Sequence, residues 1–172
     1  MDTSFRPIPE LPPRPRRVLV DTVKAQLEAL DDLVARAKRT ISVFDADLSA
    51  MEWNTVARCE QLTSFLRGSR DARLQIIVHD TRYLEARCAR ILALQRYYGH
   101  AITLRKTGDG AAGARDPLML VDERHYLHRF DFEQPRAALV IDDPEATGPL
   151  AQRFDEIWAT GVEAVPGTRL GL

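Results

Sequence analysis

Residues 114–129 read ARDPLMLVDERHYLHR, and the parsing of the whole chain turns on them. Leu118–Val121 is an unbroken apolar run. His125–Phe130 is rich in strand-favouring side chains, and Asp122-Glu123-Arg124 between them is polar. That pattern predicts a hairpin. Arg136–Ile141 (RAALVI) follows as a further strand, so the second half of the chain reads as consecutive strands. The first half alternates. Thr40–Asp45 (TISVFD), Leu74–His79 (LQIIVH) and Ala101–Lys106 read as strands separated by helical patterns.

The spacing of Val23, Leu27, Leu30, Val34 and Ala37 predicts a helix over 22–38, capped by Asp21 or Thr22. A second helix is expected over Trp53–Arg67, stopped by Gly68. A long third one is expected from Asp80 or Thr81 to Tyr98, with Gly99 as terminator. Thr107–Asp116 is a Gly- and Ala-rich loop. Asp142, Asp143, Pro144 and Gly148 read as a turn before a last helix bearing Leu150, Phe154, Ile157 and Trp158. Residues 161–172 read as frayed.

The order α-β-α-β-α-β-β-β-β-α predicts an α/β domain. Its mixed sheet would hold about six or seven strands, with helices on both faces. Right-handed crossovers would make the first three strands parallel. Around this domain (residues 21–162) we expect a Pro- and Arg-rich arm over residues 1–20 and a tail over 163–172. Pro7, Pro9, Pro12, Pro13 and Pro15 favour an extended arm.

The chain has 172 residues, 45% hydrophobic and 28% charged, with a formal net charge of −1. Such a balance gives no global field for nucleic acid or anionic lipid. The 21 Arg against 3 Lys read as the codon signature of a GC-rich bacterial genome. No apolar run approaches the ~18 residues of a membrane span, and the start of the chain has no apolar leader core. Cys59 and Cys88 form no C-x-x-C pair. They read as buried hydrophobes in a reducing cytoplasm. Neither cofactor nor metal is expected.

The 114–129 stretch resembles the motif-bearing strand of the phospholipase D superfamily, whose pattern is His-x-Lys-x4-Asp followed by Gly-Ser-x-Asn. Setting the motif aspartate on Asp122 places its histidine at Arg115 and its lysine at Pro117. The later positions fall on Arg129, Phe130, Asp131 and Phe132, so the aspartate alone is kept. The resemblance covers about residues 22–160 and implies a phospholipase D-like half-unit.

It also implies a lost reaction. The family's chemistry needs a histidine nucleophile, a second histidine acid and a lysine on the phosphate oxygens. Arg115 stays protonated and Pro117 carries no charge or donor. Removing a nucleophile from such a coupled site can cost on the order of 10⁶ in rate, roughly 8 kcal/mol. The implied function is a non-catalytic module binding a protein partner or an anionic small ligand. A narrower resemblance lies in HDTRYLEARCARILALQRYYGHAITLRKT (residues 79–107), RHYLHRF and RFDEIW. These are similar to an uncharacterised bacterial family, some members of which adjoin an acetyltransferase domain. That resemblance implies an acetyltransferase as one partner. The superfamily's single-motif members, which build a site across a two-fold axis, imply a homodimer.

The residues themselves nominate an anion-binding groove. His79-Asp80-Thr81-Arg82 lies where a strand enters a helix, beyond the carboxyl ends of parallel strands, where ligands gather. The helix N-terminus and Arg82 favour anions. The plainer alternative is that Asp80 only caps its helix. With Arg115, Asp122, His125 and Arg129 the candidate groove is His79, Asp80, Arg82, Arg115, Asp122, His125 and Arg129. An enzyme of altered chemistry would need several of these in one cleft. Asp45 and Asp47 belong to the same rim or to an ordinary turn. His125 and His128, three apart on a strand, should face opposite ways.

Overall fold

The computed structural model describes residues 13–164. Most of the expected Pro-rich arm and of the expected tail lies outside them.

The elements run β1 (Arg16–Val20), α1 (Val23–Arg36), β2 (Thr40–Asp45), α2 (Val56–Gly68), β3 (Arg73–Val78), α3 (Arg82–Arg87), α4 (Ala89–Tyr97) and β4 (Ile102–Lys106). A single 3₁₀ turn follows, then β5 (Leu118–Val121), β6 (His125–Asp131), β7 (Gln134–Ile141), α5 (Pro144–Ala159) and β8 (Val162–Glu163). All eight strands share one sheet in the order β1-β7-β6-β5-β2-β3-β4-β8. β2, β3 and β4 are parallel, and β5, β6 and β7 join them as antiparallel neighbours. The mixed sheet expected from the sequence is present.

Side-chain alternation divides the core into two layers. Ile41 and Val43 of β2, Leu74 and Ile76 of β3, and Met119 and Val121 of β5 face α1 to α4. Phe44, Ile77, Leu118 and Leu120 face α5, where Phe154 and Ile157 cover them. Fully burying such a side chain is worth about 1.5–3 kcal/mol, so both layers hold the sheet.

Four differences from the sequence reading have physical causes. Arg16–Val20 is an edge strand paired with β7, not part of an arm. Its side chains are exposed up to Val20, so no apolar alternation marks it. Arg17 fastens it by a two-pronged contact with Asp143 (3.2 and 2.7 Å). The long third helix is broken at Cys88, whose φ of −106° and ψ of 47° are not helical. Its apolar residues continue across the break, which hides it. The last helix begins at Pro144, because Asp143 caps it through the Ala146 N–H and proline is well suited to the first helical position. The chain also continues through Pro149 as helix. Finally, Val162–Glu163 pairs with Arg105 and Lys106 as β8.

Candidate functional site

The parallel strands end on one rim of the sheet, and the antiparallel register brings two further segments there. Phe44 pairs with Leu118, and Leu118 pairs with His128. The start of β5 and the end of β6 therefore meet the carboxyl ends of β2, β3 and β4. Asp45, His79, Asp80, Arg82, Arg115, Pro117 and Arg129 all lie on this rim.

Pro117 and Arg129 share a small cavity with Asp45, Leu30, Met51 and Trp53. Met51 and Trp53 are buried and come from the 46–55 segment, where Leu48 and Glu52 take left-handed backbone angles (φ 71° and 50°). Burial pushes the Asp45 carboxyl up to about 6, against the pull of the Ala46 N–H and the Arg129 charge. Arg129 is 9% exposed. Its Nη2 donates to the carbonyls of Phe132 (2.9 Å) and Gln134 (3.2 Å), while its buried Nε has no partner among the described residues. The cavity is thus apolar and narrow, with an acid and a guanidinium at its wall.

The other rim residues are engaged. His79 Nε2 lies 2.7 Å from the Ala114 carbonyl, an acceptor only, so that nitrogen carries a proton. Its Nδ1 lies 2.6 Å from the Thr107 hydroxyl. The ring packs edge-on against Phe44 and Phe132 (centroids 5.1 and 5.7 Å). Neither nitrogen is left for nucleophilic attack. Asp80 accepts the Arg82 N–H (2.9 Å) and binds the Arg82 guanidinium. Those hydrogen bonds hold its carboxyl down at about 2. Arg115 donates to Asp131 through Nε and Nη2 (2.9 and 3.1 Å), with Glu133 at 3.8 Å.

Asp122 and His125 are elsewhere. A strand rises about 3.3 Å per residue, so Asp122 lies on the order of 16 Å along the strand from Pro117. It sits in the β5–β6 turn at the opposite rim. Its carboxylate accepts the backbone N–H groups of Lys38, Arg39 and Thr40, each at 2.8 Å. His125 pairs with Val121 beside it. The seven residues nominated from the sequence therefore do not form one groove. Five lie on the carboxyl rim and two on the other, because β5 spans the sheet between the motif's ends.

His128 was not among the seven. It projects from β6 on the α5 side, opposite to His125, as their spacing requires. Its Nε2 meets Asp116 Oδ2 at 2.8 Å, and Asp116 also holds Arg153. Burial alone would raise the Asp116 carboxyl, but hydrogen bonds from Arg153 and His128 outweigh it and lower it. Nothing in the local pattern announces this trio, since Arg153 comes from a helix 37 residues away. Among the described residues no group of three or more His, Cys, Asp or Glu is placed to hold a metal ion.

Residues 22–167 match the model of a protein family described as a domain of unknown function, DUF7931. The chain belongs to that family. No curated protein matches the chain. Among solved structures it is similar to Nuc, a phospholipase D family member from Salmonella typhimurium. The TM-score is 0.62 at 17% identity, over 89% of this chain and 100% of that one. It is also similar to NucT from Helicobacter pylori (TM-score 0.58, 15% identity, 87% of this chain and 99% of that one). A third likeness is to TrmBL2, an archaeal chromatin protein described as having a novel mode of DNA binding. Its TM-score is 0.65 at 13% identity, over 87% of this chain. The DUF7931 chain spans 54% of the TrmBL2 chain's length. The fold is phospholipase D-like.

Proposed function

We propose that this domain is a non-catalytic phospholipase D-like module that binds an anionic small ligand or a protein partner. One observation carries the reading. The positions of the superfamily's nucleophile and phosphate lysine hold Arg115, tied to Asp131, and Pro117, buried in the wall of the small cavity. His79, on the same rim, has both ring nitrogens occupied. The partners this reading names are an acetyltransferase and a second copy of the chain.

The test is hydrolysis of bis(p-nitrophenyl) phosphate, single-stranded DNA and phosphatidylcholine by the wild type, His79→Ala and His128→Ala. The expected result is no turnover above a buffer blank for any of the three. Turnover that either substitution abolishes would overturn the proposal. It would favour a second reading, an enzyme of altered chemistry. That reading draws on the His128–Asp116 pair, a largely buried imidazole (21% exposed) oriented by a carboxylate, with no partner for Nδ1 among the described residues. A carboxylate-oriented imidazole is the general-base arrangement that nucleophile activation needs.

A further inference from the structure

A further concavity lies on the rim opposite Arg115 and Pro117. It is an open groove of about 440 Å³ between the end of α1 and the β5–β6 and β7–α5 turns. Arg36, Lys38, Arg39 and Arg124 line it, against Asp122 and Asp142. Asp122 accepts three backbone N–H groups. Arg36 is shared with Asp32, outside the groove (3.0 Å). Arg124 is ion-paired with Asp142 (Nε to Oδ1, 3.2 Å), although its buried Nε makes no hydrogen bond among the described residues. Lys38 and Arg39 are exposed, and their side-chain nitrogens have no carboxylate within 4 Å among the described residues, although their backbone N–H groups donate to Asp122. Cations beside the C-terminal end of α1 offset its dipole, which amounts to only about half a charge.

His125 gives the groove a directed donor. Its Nδ1 accepts the backbone N–H of Asp142 at 2.9 Å, so the ring proton sits on Nε2. The side chain is 6% exposed and lines the groove, and no hydrogen bond to Nε2 is seen among the described residues. The backbone bond to Nδ1 keeps the tautomer that presents a proton to the groove.

We propose that this groove binds a phosphate group, as the free anion or on a small molecule, with His125 Nε2–H as the directed donor. Lys38, Arg39 and Arg124 supply the charge. The groove departs from the superfamily's site in position and in residues. It deepens the non-catalytic reading above by giving the anion a place, and it rests on that reading only in expecting no turnover. A diester assay that finds turnover leaves this groove standing. A failure to bind phosphate removes it and leaves the non-catalytic reading untouched.

The experiment titrates inorganic phosphate and glycerol 3-phosphate into the full chain at constant ionic strength. Calorimetry is followed alongside the His125 ring ¹H–¹⁵N signals. The expected result is saturable binding with a shift of the His125 Nε2 resonance. Lys38→Glu/Arg39→Glu, both at exposed positions, should weaken binding at least about tenfold, the range of lost charge-assisted contacts. Arg82→Ala/Arg115→Ala on the opposite rim should leave it unchanged. Three outcomes overturn the proposal. One is no saturable binding. Another is binding lost in the Arg82/Arg115 variant and kept in the other. The third is binding of a DNA duplex alone, which would make the groove a nucleic-acid contact.

Discussion

The N–H of Thr40 donates to Asp122 Oδ1 at 2.8 Å, and the N–H of Asp122 donates back to the Thr40 carbonyl at 3.1 Å. This reciprocal pair locks the β5–β6 turn to the first residue of β2. The same carboxylate holds the N–H groups of Lys38 and Arg39, which leave the end of α1. The aspartate on which the motif is set in the sequence is thus occupied in fastening three elements.

Asp122→Ala should therefore cost about 2–3 kcal/mol, since hydrogen bonds to a charged acceptor contribute roughly 1.5–3 kcal/mol and several are lost together. Asp122→Asn should cost less. Its carbonyl oxygen can still serve Arg39 and Thr40, and asparagine tolerates the left-handed backbone at this position (φ 52°). Urea midpoints at unchanged slope give both numbers. An alanine variant as stable as the wild type would show that the carboxylate is dispensable.

His79 is expected to act as a pin. It ties the ends of β3 and β4 to the loop before β5 through Thr107 and Ala114. His79→Ala removes two hydrogen bonds, about 1 kcal/mol each, and the edge-on contacts with Phe44 and Phe132. We expect a loss of roughly 2–3 kcal/mol, with faster amide exchange concentrated in residues 107–116. Uniform acceleration across the sheet, with that loop no worse than its surroundings, would contradict the pinning role.

The central sheet was legible in the sequence because its strands are buried on both faces and bounded by helices with regular apolar spacing. Thr40–Asp45 matches its expected bounds. β1 was not, because its anchor is an Arg17–Asp143 contact across 126 residues. The hairpin around Asp122 was read from polarity alone, but which rim it occupies is a property of register. Asp122 and His125 could be assigned to a groove with Arg115 only by ignoring the length of β5. Asp45 and Arg129 could be named as rim residues. That their charges would be walled in by Trp53 and Met51 depends on the fold of the 46–55 segment, which carries no periodic signal.

Gly108 and Gly113 offer a controlled comparison within one loop. A Cβ on Gly108 would collide with the Thr160 backbone carbonyl at the end of α5, whereas one on Gly113 meets nothing within 4 Å. The Gly108 N–H also donates to Thr160 Oγ1 at 3.1 Å. Gly108→Ala should cost about 1–3 kcal/mol by overpacking. Gly113→Ala should be within about 0.5 kcal/mol of the wild type, as for other open surface sites. Equal thermal midpoints for the two variants would refute the close packing of this loop on α5.

Asp45 predicts a pH dependence with a definite sign. Burial raises its carboxyl from 3.8 to about 6 in the folded protein. Folding therefore favours the protonated form. That contribution is fully present below about pH 4, falls as the pH rises through 6, and is lost above it. A difference of that size corresponds to roughly 3 kcal/mol. Asp45→Asn, neutral at every pH and still able to accept the Ala46 N–H (2.7 Å to Asp45 Oδ1), escapes the loss. Its stability relative to the wild type should improve steadily from about pH 4 to about pH 7 and then level off. Urea unfolding of both proteins across that range measures the difference. A gap that stays constant with pH would mean that Asp45 is solvated or paired, and that the cavity beside Pro117 and Arg129 is open to water.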